Sequence, residues 1–499
     1  VFNYFREEQN LNLDGLIKIS DEMETAVLKD NNLLSIKSSS TYITNKDPTT
    51  PTNKICTSLF LRERLAFILE FGLTYVETEK GLEKHVMRYP QIFATKAIES
   101  TIENGTKKGI IWHTQGSGKT ALAYYSVKYL SHYFQQKKII PKFYFIVDRL
   151  DLLIQASDEF KSRGLIAHNI NSREDFASEI KQSNAINNDS GKPEITVVNI
   201  QKFADDPSVI KNTDYQLNVQ RVYFLDEVHR SYNPKGSFLA NLEQSDRESI
   251  KIGLTGTPLL GNDYNSKSLF GNYIHKYYYN TSIKDGFTLR LIREEIDTSY
   301  KLTMHKVLEE IKVIKGNAGK NIAYAHPEFV EPMLEYIVKD FEKARITMNN
   351  NGIGGMVVCD SADQAKMMHK IFLENYSNKQ ESSSENRRHN TKRKKESAVK
   401  SAALILHDVG TKEDRKQLVK SFNKEEIDFL FVYNMLLTGF DSPRLKKLYI
   451  GRVIKAHNLL QTLTRVNRTY KKFNYGYVVD FANIQKEFEK TNADYLKEL

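Results

Sequence analysis

The stretch Trp112-His-Thr-Gln-Gly-Ser-Gly-Lys-Thr120 decides the fold. It follows the apolar run Gly109-Ile-Ile and precedes a helix-like run from Ala121 to Leu130. Strand, glycine turn and helix in that order form a phosphate-binding loop. Gly116 and Gly118 let backbone N–H groups face phosphate oxygens with no Cβ in the way. Lys119 reaches the β- and γ-phosphates as a point charge, and the Thr120 hydroxyl is placed to hold Mg²⁺. Thr114 and Ser117 complete the cradle. The strict spacing G-x-x-x-x-G-K-[ST] puts glycine at position 113, where this chain has His113. The core Gly-Ser-Gly-Lys-Thr is intact, so the departure reads as a signature of a particular family.

Outward from that loop the chain alternates short apolar runs with longer helical stretches. Phe143-Tyr-Phe-Ile-Val ends in Asp148-Arg149, and Ile195-Thr-Val-Val-Asn-Ile ends near Gln201. Val222-Tyr-Phe-Leu runs into Asp226-Glu-Val-His229, and Ile250-Lys-Ile-Gly-Leu into Thr255-Gly-Thr-Pro258. Such spacing predicts a parallel, doubly wound sheet with polar groups at the carboxyl ends of its strands, where open α/β sheets bind ligands. Asp226 and Glu227 emerge at one such end. Asp226 is suited to Mg²⁺, often through water, and Glu227 to orienting and deprotonating an attacking water. His229 either couples this site to its neighbours or caps the loop. Upstream, Arg88-Tyr-Pro-Gln precedes a helix. The Gln91 amide, donor and acceptor together, can pair with both edges of adenine.

Composition bounds the rest. A length of 499 residues suggests about three domains, and 40% hydrophobic residues suffice for sizeable cores. Lys and Arg number 72 against 62 Asp and Glu, a surplus of +10 that permits an anionic partner such as nucleic acid. The two cysteines, Cys56 and Cys359, fit no CxxC-type metal pattern and favour a reduced, intracellular protein. No apolar run approaches the ~18 residues of a membrane span. Residues 1–81 read as a lead-in: Leu16-Ile-Lys-Ile-Ser and Ala26-Val-Leu as short strands, Leu59 to Phe71 as a helix. No Asp … Glu-x-Lys nuclease pattern stands out there, so this chain is expected not to cut DNA.

Gly-Ser-Gly-Lys-Thr, Asp-Glu-Val-His and Leu254-Thr-Gly-Thr-Pro, in that order, resemble motifs I, II and III of superfamily-two helicases and translocases. The flanks Val147-Asp-Arg-Leu-Asp-Leu152, Asp-Glu-Val-His-Arg and Arg88-Tyr-Pro-Gln narrow the resemblance to the HsdR-type motor subunit of type I restriction enzymes. It covers about residues 85–485. In the second half, Gly354-Gly-Met-Val-Val-Cys-Asp-Ser361 stands where motif IV belongs. Met435-Leu-Leu-Thr-Gly439-Phe-Asp441-Ser-Pro443 resembles motif V. Leu459-Leu-Gln461-Thr-Leu-Thr-Arg465-Val-Asn-Arg468 resembles motif VI. Read as one helix, the last segment puts Arg465 and Arg468 on one face, both able to neutralise charge on a γ-phosphate.

The resemblance implies an α/β fold of two tandem RecA-like domains, at 82–286 and 287–485, with a nucleotide cleft between them and a C-terminal helical region starting at 486–499. It implies ATP and Mg²⁺ as cofactors. Gly439 and Asp441 join the nucleotide site, Thr255, Thr257, His229 and Gln461 couple it to motion, and Arg149, Asn199 and Gln201 contact the DNA strand. It implies an ATP-dependent double-stranded DNA translocase in the cytoplasm, working with methyltransferase and specificity subunits. The parent enzyme would be an endonuclease whose N-terminal nuclease domain and C-terminal docking region lie outside this chain. An RNA helicase or remodeller sharing the motor, and a nucleotide-gated DNA-binding module that hydrolyses little, are the alternatives. Residues 376–400 carry eight basic and three acidic residues, half of the chain's surplus. They read as a basic flexible insertion, either merely solvated or contacting phosphates.

Overall fold

The computed structural model describes residues 19–46, 58–78, 81–148, 150–170, 172, 175–176, 179, 192–199, 218–227, 242, 246–260, 266–315, 320–377, 398–437 and 440–498. The chain divides into two compact units, Val1–Thr281 and Ser282–Leu499. Among the described residues no helix is long and apolar enough to cross a membrane.

The first unit opens with a helix, Asp21–Asp30, where Ala26-Val-Leu suggested a strand. Local capping outweighs the β-branched centre: the Ser20 hydroxyl accepts from Met23 N–H, three acids fill the first turn, and Lys29 sits in the last. Residues 16–18 lie outside the described residues. Helix Arg62–Glu70 follows within the predicted stretch. A hairpin, β1 (Leu73–Thr78) with β2 (Gly81–Val86), then leads to helix Tyr89–Glu103.

Seven strands form the main sheet: β3 (Lys108–His113), β4 (Ile140–Val147), β5 (Ile166–Ile170), β6 (Glu194–Asn199), β7 (Val219–Asp226), β8 (Ile250–Thr255) and β9 (Tyr273–Tyr277). Their order is β5-β6-β4-β7-β8-β3-β9, and every pairing is parallel. The central strands are unbroken apolar runs because both faces are covered. Along β4, Phe143, Phe145 and Val147 pack with helices Tyr89–Glu103, Lys119–Gln136 and Leu150–Ser162. Tyr144 and Ile146 enter a second cluster on the opposite face, with Ile110, Tyr223 and Leu225. Two-residue alternation therefore feeds two cores from one run.

The second unit repeats the design with β10 (Arg290–Glu295), β11 (Gly354–Val358), β12 (Ala402–Ile405), β13 (Phe429–Val432), β14 (Leu445–Ile450) and β15 (Tyr475–Asp480). The order is β10-β15-β14-β11-β13-β12, again all parallel. Phe429 and Phe431 pack with helices Pro327–Thr347 and Ala362–Asn375, whereas Leu430 and Val432 serve the other face.

Candidate functional site: a phosphate loop and the strand ends beside it

β3 ends at His113, and helix Lys119–Gln136 begins directly after the turn. Gly116 and Gly118 have φ of 83° and 81°, left-handed values that only glycine adopts without strain. A Cβ on Gly118 would stand 2.7 Å from Gln91 Nε2. Loop geometry thus requires both glycines. The Ser117 hydroxyl is buried with no hydrogen-bond partner among the described residues. The Thr114 N–H donates to Tyr277 O at 2.9 Å, tying the loop to β9. Thr120, in the first turn of the helix, is half-buried.

Lys119 Nζ lies 3.8 Å from Glu227 Oε1 and 3.5 Å from the His113 carbonyl. Motifs I and II therefore meet, although β3 and β7 are separated in the sheet by β8. Glu227 has φ of 53°, which a side chain with a Cβ adopts at a cost of ~1–2 kcal/mol. Strain of this kind, at the turn just beyond a strand end, is typical of reactive positions. Asp226 closes β7. Burial first, then the Glu227 carboxylate, pushes its carboxyl up to about 7; Asp148 adds to this and Lys119 opposes it. The adjoining Asp226 and Glu227 carboxylates repel one another beside a single ammonium, and a divalent cation would relieve that repulsion. Among the described residues no cluster of three or more His, Cys, Asp or Glu side chains is arranged to hold a metal alone. The Thr120 hydroxyl and the Asp226 carboxylate are oxygen donors of the kind Mg²⁺ takes, with water and phosphate oxygens completing its shell.

Motif III stands against the loop. β8 pairs with β3, the Trp112 indole N–H donates to Gly256 O at 3.3 Å, and a Cβ on Gly256 would come within 3.2 Å of Gln115 N. Thr255 and Thr257 are buried there, with Thr257 N–H donating to Thr255 Oγ1.

Gln91 is brought to the loop, but as a brace. Its Oε1 accepts from Arg88 N–H at 2.9 Å, capping helix Tyr89–Glu103, and its Nε2 donates to Gly118 O at 3.0 Å. Pairing with adenine would compete with these bonds. Asn199 ends β6 and is buried, at 2% exposure. Arg149, Gln201, His229 and Gly439 lie outside the described residues.

Motif VI departs from expectation in form. Helix Ala456–Leu463 stops at Thr464, before either arginine. Arg465 N–H and Val466 N–H make i→i+3 bonds to Thr462 O and Leu463 O, and Arg468 then pairs as a β-bridge with Thr288. The alternating β-branched residues Thr462, Thr464 and Val466 favour that exit from helix. Arg465 is buried at 3%, its Nε donating to Gln461 O at 3.0 Å and its Nη1 to Phe440 O. Gln461 is buried beneath it. Arg468 is looser: its Nε is 3.3 Å from Asp441 Oδ1, an ion pair outside hydrogen-bond geometry. Arg465 therefore anchors motif V to motif VI, while Arg468 keeps its charge beside Asp441.

Arg465→Ala should accordingly lower the melting temperature, because two buried carbonyls lose donors at roughly 1–3 kcal/mol each. Arg468→Ala should barely move it, since a half-exposed ion pair contributes ~0–1 kcal/mol. Thermal melts of the two variants side by side check this; equal shifts would remove the distinction.

Asp148, His275, Tyr277 and Arg88 belong to the site's surroundings; Asp148 and Arg88 enter the sequence reading only as parts of flanking motifs, and His275 and Tyr277 not at all. Arg88 Nη1 donates to Gly116 O at 3.3 Å. The alternation Tyr273-Ile-His275-Lys-Tyr277 was the available signal for an edge strand.

The first unit thus holds a glycine-built phosphate loop with a carboxylate pair at the end of β7, and the second a parallel sheet bearing motifs V and VI, a RecA-like α/β arrangement. Residues 90–321 match the family model of the SWI2/SNF2 ATPase, and residues 340–483 that of the type I restriction enzyme subunit R domain 3. By these matches the chain resembles the restriction subunits of type I restriction enzymes. It is 25% identical over 459 residues to the type I restriction enzyme HindI endonuclease subunit of Haemophilus influenzae, covering 83% of this chain and 41% of that one. It is 26% identical over 539 residues to the SauMSSORF170P endonuclease subunit of Staphylococcus aureus, covering 97% and 54%. The chain thus spans about half the length of these relatives. The ATP-dependent type ISP restriction-modification enzyme LlaBIII bound to DNA superposes with a TM-score of 0.53 at 12% identity, over 79% of this chain and 28% of that one. A fragment from Vibrio vulnificus YJ016, assigned to the HsdR subunit of a type I restriction enzyme, gives 0.51 at 16% identity, over 80% and 65%. These two likenesses bear on the fold.

Proposed function

We propose that this chain is the ATP-driven motor of a type I restriction subunit, hydrolysing ATP with Mg²⁺ to move along double-stranded DNA. The observation that carries the reading is Lys119 Nζ within 3.8 Å of the strained Glu227 carboxylate, on a loop whose two glycines are left-handed. Gly116, Ser117, Gly118 and Lys119 bind the phosphates, and Thr120 with Asp226 holds the metal. Bound there, Mg²⁺ neutralises charge on the transferring phosphoryl group. Glu227 orients water and takes its proton. Arg468 is the arginine we assign to transition-state charge, on the footing that Arg465 and Asp441 support. Duplex DNA is the substrate track, methyltransferase and specificity subunits are the partners, and the cytoplasm is the location.

An ATPase assay with duplex DNA, single-stranded DNA and RNA tests this. Duplex DNA should stimulate turnover most. Stronger stimulation by RNA would favour an RNA helicase, and no turnover with saturating DNA a nucleotide-gated binding module. The match of residues 90–321 to the SWI2/SNF2 model supports a duplex motor of the remodeller kind as the nearest second reading.

The basic segment 376–400 lies mostly outside the described residues, and its role rests on composition. If it touches DNA phosphates, deleting residues 381–396 should flatten the slope of log binding constant against log salt, by roughly 0.9 for each phosphate that is no longer neutralised. An unchanged slope would leave it as solvated chain.

A further inference from the structure

One interaction under the phosphate loop is used by none of these roles. His113 stands where the strict pattern has glycine, yet it is the last residue of β3 and has no positive φ, so glycine's freedom is not needed there. Its ring is fully buried, and Nε2 lies 2.7 Å from Nδ1 of His275 on β9. The ring centroids are 4.9 Å apart at 62°. Tyr277 closes the same face, its centroid 5.7 Å from that of His113. Burial holds both imidazoles neutral: His275 is pushed down to about 4, and His113 well below its ordinary value, with His275 and Lys119 adding to the effect.

Two neutral rings at 2.7 Å need one N–H and one lone pair between them. His113 Nδ1 has no hydrogen-bond partner among the described residues. A buried N–H without an acceptor is rarer and costlier than a bare acceptor. His113 therefore carries its proton on Nε2 and donates to His275 Nδ1.

The backbone shows what this bond fastens. The His113 carbonyl accepts from Lys119 Nζ, and the next N–H, of Thr114, donates to Tyr277 O. Among the described strands β9 is an edge strand paired with β3, and that pairing is irregular between Ile110 and Ile111. The ladder is thus weakened two residues before the strand's end at His113, where the ring pair makes its own connection. From β9 the chain continues through Tyr278–Thr281 to the second unit.

We propose that the His113–His275 pair is a positioning device that fixes the start of the phosphate loop, and with it Lys119, against the edge strand. This rests on the reading of the loop as an ATP site. Neither imidazole needs to touch nucleotide; the pair acts through the backbone that Lys119 leans on.

The test compares His275→Ala, His275→Gln and Lys119→Ala in the full chain. It measures binding of a fluorescent ATP analogue with Mg²⁺, DNA-stimulated ATPase, and thermal melting. His275→Ala should weaken nucleotide binding and lower kcat/KM by about tenfold, the equivalent of one buried hydrogen bond. His275→Gln, whose amide oxygen can accept the His113 proton, should recover most of that activity. Parent-like binding and turnover in His275→Ala, while Lys119→Ala loses both, would overturn the proposal. Equal reductions in the Ala and Gln variants with matching drops in melting temperature would do the same, by reducing the pair to core packing. A Lys119→Ala protein that binds and hydrolyses normally would remove the ATP-site reading itself, and the proposal with it.

Discussion

Lys119→Ala should abolish ATP turnover and weaken ATP binding together. In the proposed site Lys119 is the cation that reaches the phosphates, and it would act on their charge in both ground and transition states. Removing one such electrostatic interaction typically lowers kcat by about 10²–10³-fold, before any fall in affinity. The fold should survive, because the Nζ contacts are long, at 3.5 Å to His113 O and 3.8 Å to Glu227. Single-turnover hydrolysis with an unchanged melting temperature is the measurement. Turnover near the parent's would refute the phosphate-loop assignment.

Glu227→Gln should separate binding from chemistry. Glutamine keeps the shape and the strained turn but cannot take a proton from water, so kcat should fall by roughly 10²–10⁴-fold. ATP binding should hold or tighten, since one negative charge near the phosphates is gone while Lys119 remains. Asp226, relieved of the carboxylate that is the second cause of its upward shift, should ionise more readily and keep its metal role. Trapping of ATP in filter binding, without release of phosphate, would be the signature. Normal turnover would move the general base elsewhere.

The strand ends of the first sheet were legible because each is an apolar run meeting a polar motif, and a buried parallel strand has that pattern whatever surrounds it. Asp226 and Glu227 stand out from their place after Val222-Tyr-Phe-Leu taken together with the upstream phosphate loop. The first helix was misread because Ala26-Val-Leu has β propensity, and the Ser20 cap with its acidic first turn was given no weight against it. Motif VI was misread for the opposite reason: three-residue spacing suggests a helix face only if the helix continues, and whether it does is decided by Thr288 and Leu289, far away in sequence, which pair with Arg468 and Asn467.

By itself the sequence determined the local chemistry: a glycine turn, a lysine, a carboxylate pair, and alternating elements that admit a doubly wound sheet. Only the tertiary structure decided which of these residues meet. Strand order β7-β8-β3 brings Glu227 within reach of Lys119, 108 positions away, and the β3-β9 pairing sets His113 on His275. It also turned Gln91 onto the loop's own backbone and buried Asn199 and Arg465. The physical reason is that hydrophobic periodicity and turn chemistry act over a few residues. Burial, hydrogen-bond partners and charge proximity depend on long-range packing, which no short window of sequence contains.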